Sequence, residues 1–160
     1  MLKDILKILE HDARTTPKQI AAMTGISQAE VNKLVKQAQE DRTILKYKTI
    51  IDWDKVEDEH VWAFIEVKLT PEKDVGFDSV AERIYRFPQA HTVYLVSGTY
   101  DLFVLVTGKN NHEIADFVSQ KLSHVEGVKE TATQFVLKRY KVDGVIVEGK
   151  EEVKRQPVML

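Results

Sequence analysis

Apolar residues recur at helical spacing from the first turn of the chain. Leu2, Ile5, Leu6 and Leu9 line one side of an amphipathic helix predicted over residues 2–12. Thr16-Pro17-Lys18-Gln19 then combines a capping hydroxyl, a proline suited to the first helical position and a glutamine able to close a capping box. A short second helix is predicted from Pro17 to about Met23, broken by Thr24-Gly25-Ile26. Ser27-Gln28-Ala29-Glu30 reads as a second capping box opening a third helix, with Val31, Leu34, Val35 and Ala38 as its buried stripe. Residues 44–51 are strand-like, and the charge-dense stretch 52–60 reads as a linker.

Beyond residue 60 the period changes from near four to two. A strand is predicted over Val61–Thr70, ended by Pro71, and a helix carries Phe77, Val80, Ala81, Ile84 and Phe87. Strands over Thr92–Ser97 and Leu102–Thr107 flank Gly98-Thr99-Tyr100-Asp101, a hairpin signal. Ile114, Ala115, Phe117, Val118, Leu122 and Val125 mark the next helix, ended by Gly127, and Lys129–Tyr140 the final strand. The order β-α-β-β-α-β is the split-βαβ, ferredoxin-like arrangement. The fold class is α+β: a three-helix, winged-helix-like helix-turn-helix domain over 1–51, the linker 52–60, a ferredoxin-like domain over 61–146, and a tail over 147–160.

Charge divides along the same boundary. Residues 1–51 carry nine Lys/Arg against six Asp/Glu, and the remainder carries fourteen against nineteen. A basic end on an acidic chain points to an anionic partner at that end. With no cysteine, disulfides, thiolate metal sites and cysteine nucleophiles are excluded. No apolar run reaches the roughly 18 residues of a membrane span, so a cytoplasmic protein with no membrane partner is expected.

The small residue and turn between the second and third helices carry the first functional signal. Ala21 allows close helix approach, Gly25 supplies the turn, and Ile20, Ile26, Val31 and Leu34 fill the wedge. A third helix held this way presents its N-terminal half to the major groove of double-stranded DNA. Asn32 can pair bidentately with adenine, and Gln28 and Lys33 are further base-reading candidates. Lys18, Lys36, Arg42, Lys46 and Lys48 are placed to meet phosphates. A plain three-helix bundle would use the same apolar residues, but not the two capping boxes together with a basic exposed face.

Residues 5–14 (ILKILEHDAR), Ile20-Ala21 with Gly25-Ile26-Ser27, and residues 96–101 (VSGTYD) form a set of matching segments. On these the chain resembles the Lrp/AsnC (leucine-responsive, feast/famine) regulators. The resemblance covers residues 1 to about 145 and implies a ferredoxin-like regulatory domain, an amino-acid effector, and dimers that assemble into octamers. It implies no cofactor. Two positions depart from the family pattern: Arg42 and Lys46 stand where glycines are usual, and both add positive charge beside the DNA face.

In the regulatory domain, Ala63, Ile65, Val67 and Leu69 are predicted on one face of the first strand, and Trp62 and Phe64 on the other. Helices cover one face only, and large apolar groups on the other call for a partner. A face-to-face homodimer is the expected solution. Nucleic-acid binding on sheet aromatics is disfavoured by the acidic charge and by the lack of a Lys/Arg-Gly-Phe pattern. In the 98–101 hairpin, Gly98 permits close approach of a carboxylate and Asp101 can hold an ammonium group. Thr99 and Tyr100 belong to the same candidate effector site, and Thr131 and Thr133 are candidates to line it. A tight turn with a polar tip explains the same loop without a ligand. His112 and Asp116, one helical turn apart, are not taken as a metal site, and no catalytic constellation stands out. The expected function is a sequence-specific DNA-binding transcriptional regulator responding to an amino acid. The alternatives are a ligand-independent architectural regulator and a small enzyme of ferredoxin-like fold.

Overall fold

The computed structural model describes residues 1–56, 60–70 and 76–147. The chain divides into two compact units, Met1–Ile50 and Ile51–Leu160.

The first unit is three helices, α1 (Leu2–His11), α2 (Pro17–Thr24) and α3 (Gln28–Glu40). Their shared core is Ile5, Ile20 and Val31, walled by Ile8, Leu9, Ala21, Ile26, Leu34 and Val35. Each apolar stripe thus meets the others, which is what holds helices this short. The Thr16 capping box forms in full: Gln19 N–H donates to Thr16 Oγ1 (3.3 Å) and Thr16 N–H to Gln19 Oε1 (2.8 Å). Half of the second box forms, with Glu30 N–H donating to Ser27 Oγ at 3.2 Å. Gly25 ends α2 at φ +74°, a left-handed conformation that glycine adopts without a Cβ clash.

The strand expected over residues 44–51 is not formed; from Leu45 to Asp52 the chain has no regular structure. A strand exists only by pairing, and no segment among the described residues lies alongside this one. Its apolar residues are consequently outside, Leu45 being 76% exposed.

The second unit holds a four-stranded antiparallel sheet of β1 (Val61–Leu69), β2 (Ala90–Leu95), β3 (Leu102–Gly108) and β4 (Val128–Phe135), in the order β2-β3-β1-β4. Helices α4 (Phe77–Tyr85) and α5 (Asn111–Gln120) follow β1 and β3, completing the expected ferredoxin-like order. Ala63, Ile65, Val67 and Leu69 of β1 and Leu102, Val104 and Val106 of β3 are fully buried against Val80, Ile84, Ile114, Phe117 and Leu122. The Phe87 and Phe117 rings meet edge to face at 5.4 Å within this layer.

Several boundaries differ from the sequence expectation, and β2 runs Ala90–Leu95 where Thr92–Ser97 was expected. The fifth helix stops at Gln120, and Leu122 and Val125 are instead carried by a short 3-10 turn (Leu122–His124) and its exit. The last strand stops at Phe135; after Val136 N–H bonds to Trp62 O, the chain leaves the sheet. It then forms a small hairpin, β5 (Lys141–Val142) with β6 (Val145–Ile146), turned by Asp143-Gly144 at positive φ. Apart from Val147, the predicted tail lies outside the described residues.

Candidate functional site

Helix α3 presents one polar surface. With Val31 and Ala38 buried and Leu34 and Val35 half-buried, the helical period turns Asn32, Lys33 and Lys36 outward, and Gln28 is exposed at the first turn. Lys36 Nζ stands 3.7 Å from Glu40 Oε1, both groups in solvent. Lys18 on α2 is exposed, as are Arg42, Lys46 and Lys48 beyond α3. Asp41 stands at the C-cap of α3, where its N–H donates to Gln37 O at 2.9 Å; its side chain accepts from Thr43 N–H at 2.9 Å, and the hydrogen bonds from Thr43 hold its carboxyl below the usual range. Arg42 follows at φ +63°, in the left-handed region. A residue with a Cβ is strained there, and glycine is the residue such helix ends favour.

The 98–101 loop lies where β2 and β3 end, and Asp101 is what fastens it. In the β1–β3 ladder Val67 opposes Leu102, and beyond that pair β3 has no strand residue to offer. Asp101 N–H donates to Val67 O at 3.0 Å, and Leu69 N–H donates to Asp101 Oδ2 at 2.8 Å. The carboxylate replaces the backbone carbonyl that another ladder step would have supplied. Lys68 Nζ adds an ion pair at 3.4 Å and donates to Thr99 O at 2.6 Å. The anion expected to wait for a ligand's ammonium group is therefore occupied by its own fold.

Other carboxylates stand beside the loop. Tyr100 OH donates to Glu130 Oε1 at 3.3 Å, and Gln134 Nε2 donates to Glu66 Oε2 at 3.0 Å. Partial burial, then the Glu130 charge and hydrogen bond, then the Glu66 charge raise the Tyr100 phenol above its ordinary value. Register places Lys68 opposite Glu130 and Glu66 opposite Ala132, all on the face not covered by helices. Thr131 and Thr133 pair with Val67 and Ile65 and so belong to the helix-covered side. The expectation that they line one pocket with Tyr100 is corrected by this alternation. Lys68 and Glu130 are the loop's neighbours that the sequence reading missed. Their signal was present: charged residues at open-face positions near the strand ends that meet the hairpin.

The open face also has its apolar half. Phe64 and Phe103 stack at 4.9 Å, Leu105 opposes Phe64, and Tyr94, opposite Phe103, is 61% exposed. Elsewhere, His112 Nε2 and Asp116 Oδ2 are 3.4 Å apart on the surface of α5. No group of three metal-ligating side chains occurs among the described residues.

Residues 2–44 match the family model described as winged helix-turn-helix DNA-binding, and residues 62–146 match that of the Lrp/AsnC ligand binding domain. The chain belongs to the Lrp/AsnC family. This Lrp/AsnC protein is 45% identical over 153 residues to YugG of Bacillus subtilis, an uncharacterized HTH-type transcriptional regulator, a match covering 95% of this chain and 92% of the relative. It is 33% identical over 139 residues to the HTH-type transcriptional regulator LrpA of Pyrococcus abyssi, covering 87% and 96%. Its fold is shared with a transcriptional regulator of Neisseria meningitidis solved as a complex with L-methionine (TM-score 0.71, 21% identity, 91% and 93% covered). The protein is thus a transcriptional regulator that joins a helix-turn-helix DNA-binding domain to a ligand-binding domain. Among the described residues no helix is long and apolar enough to cross a membrane.

Proposed function

We propose that this regulator reads DNA through Gln28, Asn32 and Lys33 of α3, and that an amino acid bound at the 98–101 loop changes its assembly and with it its DNA affinity. The observation that carries the effector reading is the state of the loop's backbone. Gly98, Thr99 and Tyr100 have N–H groups that meet no acceptor among the described residues. Gly98, at φ +145°, places no side chain over them. Successive free N–H groups in a turn attract a carboxylate, and Glu130 beside Tyr100 is an anion within reach of the same loop. L-methionine in the Neisseria regulator is an amino acid bound by a protein of the same fold.

Assembly follows from the open face. Phe64, Phe103, Leu105 and Tyr94 form an apolar surface that a second copy would cover in a two-fold, self-complementary contact. Homodimers built this way, associating further into octamers as in the family pattern, would put effector loops at the edges where dimers meet. Amino-acid binding would then bias the oligomer distribution only as far as it binds one assembly better than another. We read it as a cytoplasmic protein, which the helix-turn-helix DNA-binding match supports.

The test is a mobility-shift assay on the DNA upstream of its own gene, with each of the twenty amino acids at millimolar concentration, paired with thermal-shift measurements. A change in DNA affinity together with a rise in melting temperature for one or a few amino acids supports the reading. A second reading, an architectural regulator without an effector, is favoured by one observation: the Asp101 carboxylate is already engaged by Leu69 and Lys68. That reading stands if no amino acid changes melting, assembly or DNA affinity.

A further inference from the structure

We infer that Lys68 is the positioning residue of the effector site: by holding the Thr99 carbonyl against β1 it turns the Tyr100 N–H outward to meet the effector's carboxylate, and its charge offsets the carboxylates around the loop. The inference rests on the effector reading above and assigns a role to a residue outside the loop itself.

The geometry follows from one peptide plane. Thr99 O and Tyr100 N–H belong to the same trans peptide and point in opposite directions. Lys68 Nζ takes Thr99 O at 2.6 Å from the β1 side, so the Tyr100 N–H is turned away from β1. That N–H has no acceptor among the described residues. Few other contacts fix this orientation: Gly98 at φ +145° has no side chain to pack, and residues 96–99 are exposed. The ammonium group is fixed in turn by Asp101, 3.4 Å away, whose carboxylate is held by Leu69 N–H. Leu69 sits at a register shift between Lys68 and Leu69 in the β1–β4 ladder, where β4 steps from Glu130 to Val128. The chain of contacts therefore runs from a bulged strand pair, through Asp101 and Lys68, to a single peptide orientation.

The charge matters as well as the hydrogen bond. Asp101, Glu130 and Glu66 border the loop, and three carboxylates would repel an incoming carboxylate. Lys68 is a cation that offsets them across the peptide plane, and at 36% side-chain exposure it stays in contact with solvent. The ammonium donates to Thr99 O and stands as an ion pair 3.4 Å from Asp101 Oδ2. The residue thus confers selectivity for a free α-carboxylate over a neutral amide.

The experiment uses the full chain and the amino acid that responds in the twenty-member screen, together with that amino acid's carboxamide. Wild type is expected to bind the acid at least about tenfold more tightly than the amide, the scale of a charge-assisted hydrogen bond. Lys68→Met should collapse this acid-to-amide ratio toward one, and Lys68→Arg should restore most of it. Because the ratio is taken within each protein, a general loss of stability in Lys68→Met does not produce the result. An unchanged ratio in Lys68→Met, with wild type responding, overturns the role of Lys68 and leaves the effector reading standing. A wild type that binds none of the twenty overturns both.

Discussion

The N–H of Leu69 donates to the carboxylate of Asp101 at 2.8 Å, so a side chain completes a sheet ladder that the backbone of β3 leaves unfinished. Asp101 is one-fifth exposed, and its removal leaves a half-buried N–H without an acceptor. Asp101→Ala should lower the stability of the unliganded protein by about 1–2 kcal/mol. Chemical denaturation followed by aromatic fluorescence would measure it. Stability equal to wild type would mean the contact is incidental.

Arg42 holds a left-handed conformation at the end of α3, with φ +63°. Arg42→Gly relieves that strain, at some cost in unfolded-chain entropy. It should raise the stability of the N-terminal unit by about 0.5–1 kcal/mol. If Arg42 meets a phosphate as proposed, the same change removes that contact, so DNA binding should weaken while the melting temperature rises. These opposite movements, in calorimetry and in DNA titration, distinguish this substitution from simple loss of structure.

Lys36 is exposed on α3, with Glu40 3.7 Å from its ammonium group. If it meets a phosphate, Lys36→Ala should flatten the plot of log affinity against log salt by about 0.9 per lost phosphate contact, on specific and random DNA alike. Asn32→Ala should cost about 1–3 kcal/mol on the preferred operator and little on random sequence. Equal losses on both DNAs for Asn32→Ala would remove it from the base-reading set.

Phe64 stacks on Phe103 at 4.9 Å in the middle of the open sheet face. If a second copy covers that face, Phe64→Glu places an unpaired charge in the interface and should dissociate the assembly. Analytical ultracentrifugation at micromolar concentration should show wild type as a dimer or larger and Phe64→Glu shifted toward monomer. A monomeric wild type would refute the face-to-face arrangement.

The Tyr100 phenol is raised by partial burial, by the charge and hydrogen bond of Glu130, and by the charge of Glu66. The folded state therefore holds this proton more tightly than the unfolded chain does. The stability linked to Tyr100 is fully present below the ordinary phenol value of about 10 and is lost as pH rises through the folded value. In an absorbance titration of phenolate, the difference between wild type and Tyr100→Phe should place Tyr100 above the ordinary range. Glu130→Gln should bring it down.

Periodicity determined most of this molecule directly. The spacing of Ile5, Ile20 and Val31 and the capping at Thr16 specify three packed helices, because local hydrogen bonds and one buried stripe suffice to define a helix. Alternation along β1 likewise separated Ala63, Ile65, Val67 and Leu69 from Trp62 and Phe64, since strand side chains must alternate. The residues of the 98–101 loop were visible through their glycine and their place between two strands. Tertiary structure decided what those residues do. Asp101 looked like a free anion in the sequence and is engaged by Leu69, more than thirty positions earlier. Thr131 and Thr133 looked like neighbours of Tyr100, and register alone puts them on the other face of the sheet. Residues 44–51 have strand composition but no strand beside them, and hydrogen-bonded pairing is not a property of a segment by itself. Composition and period constrain what lies near in sequence, whereas register and long-range contacts choose which charge meets which donor. Those choices made Lys68, unremarked in the sequence, the cation that holds the loop.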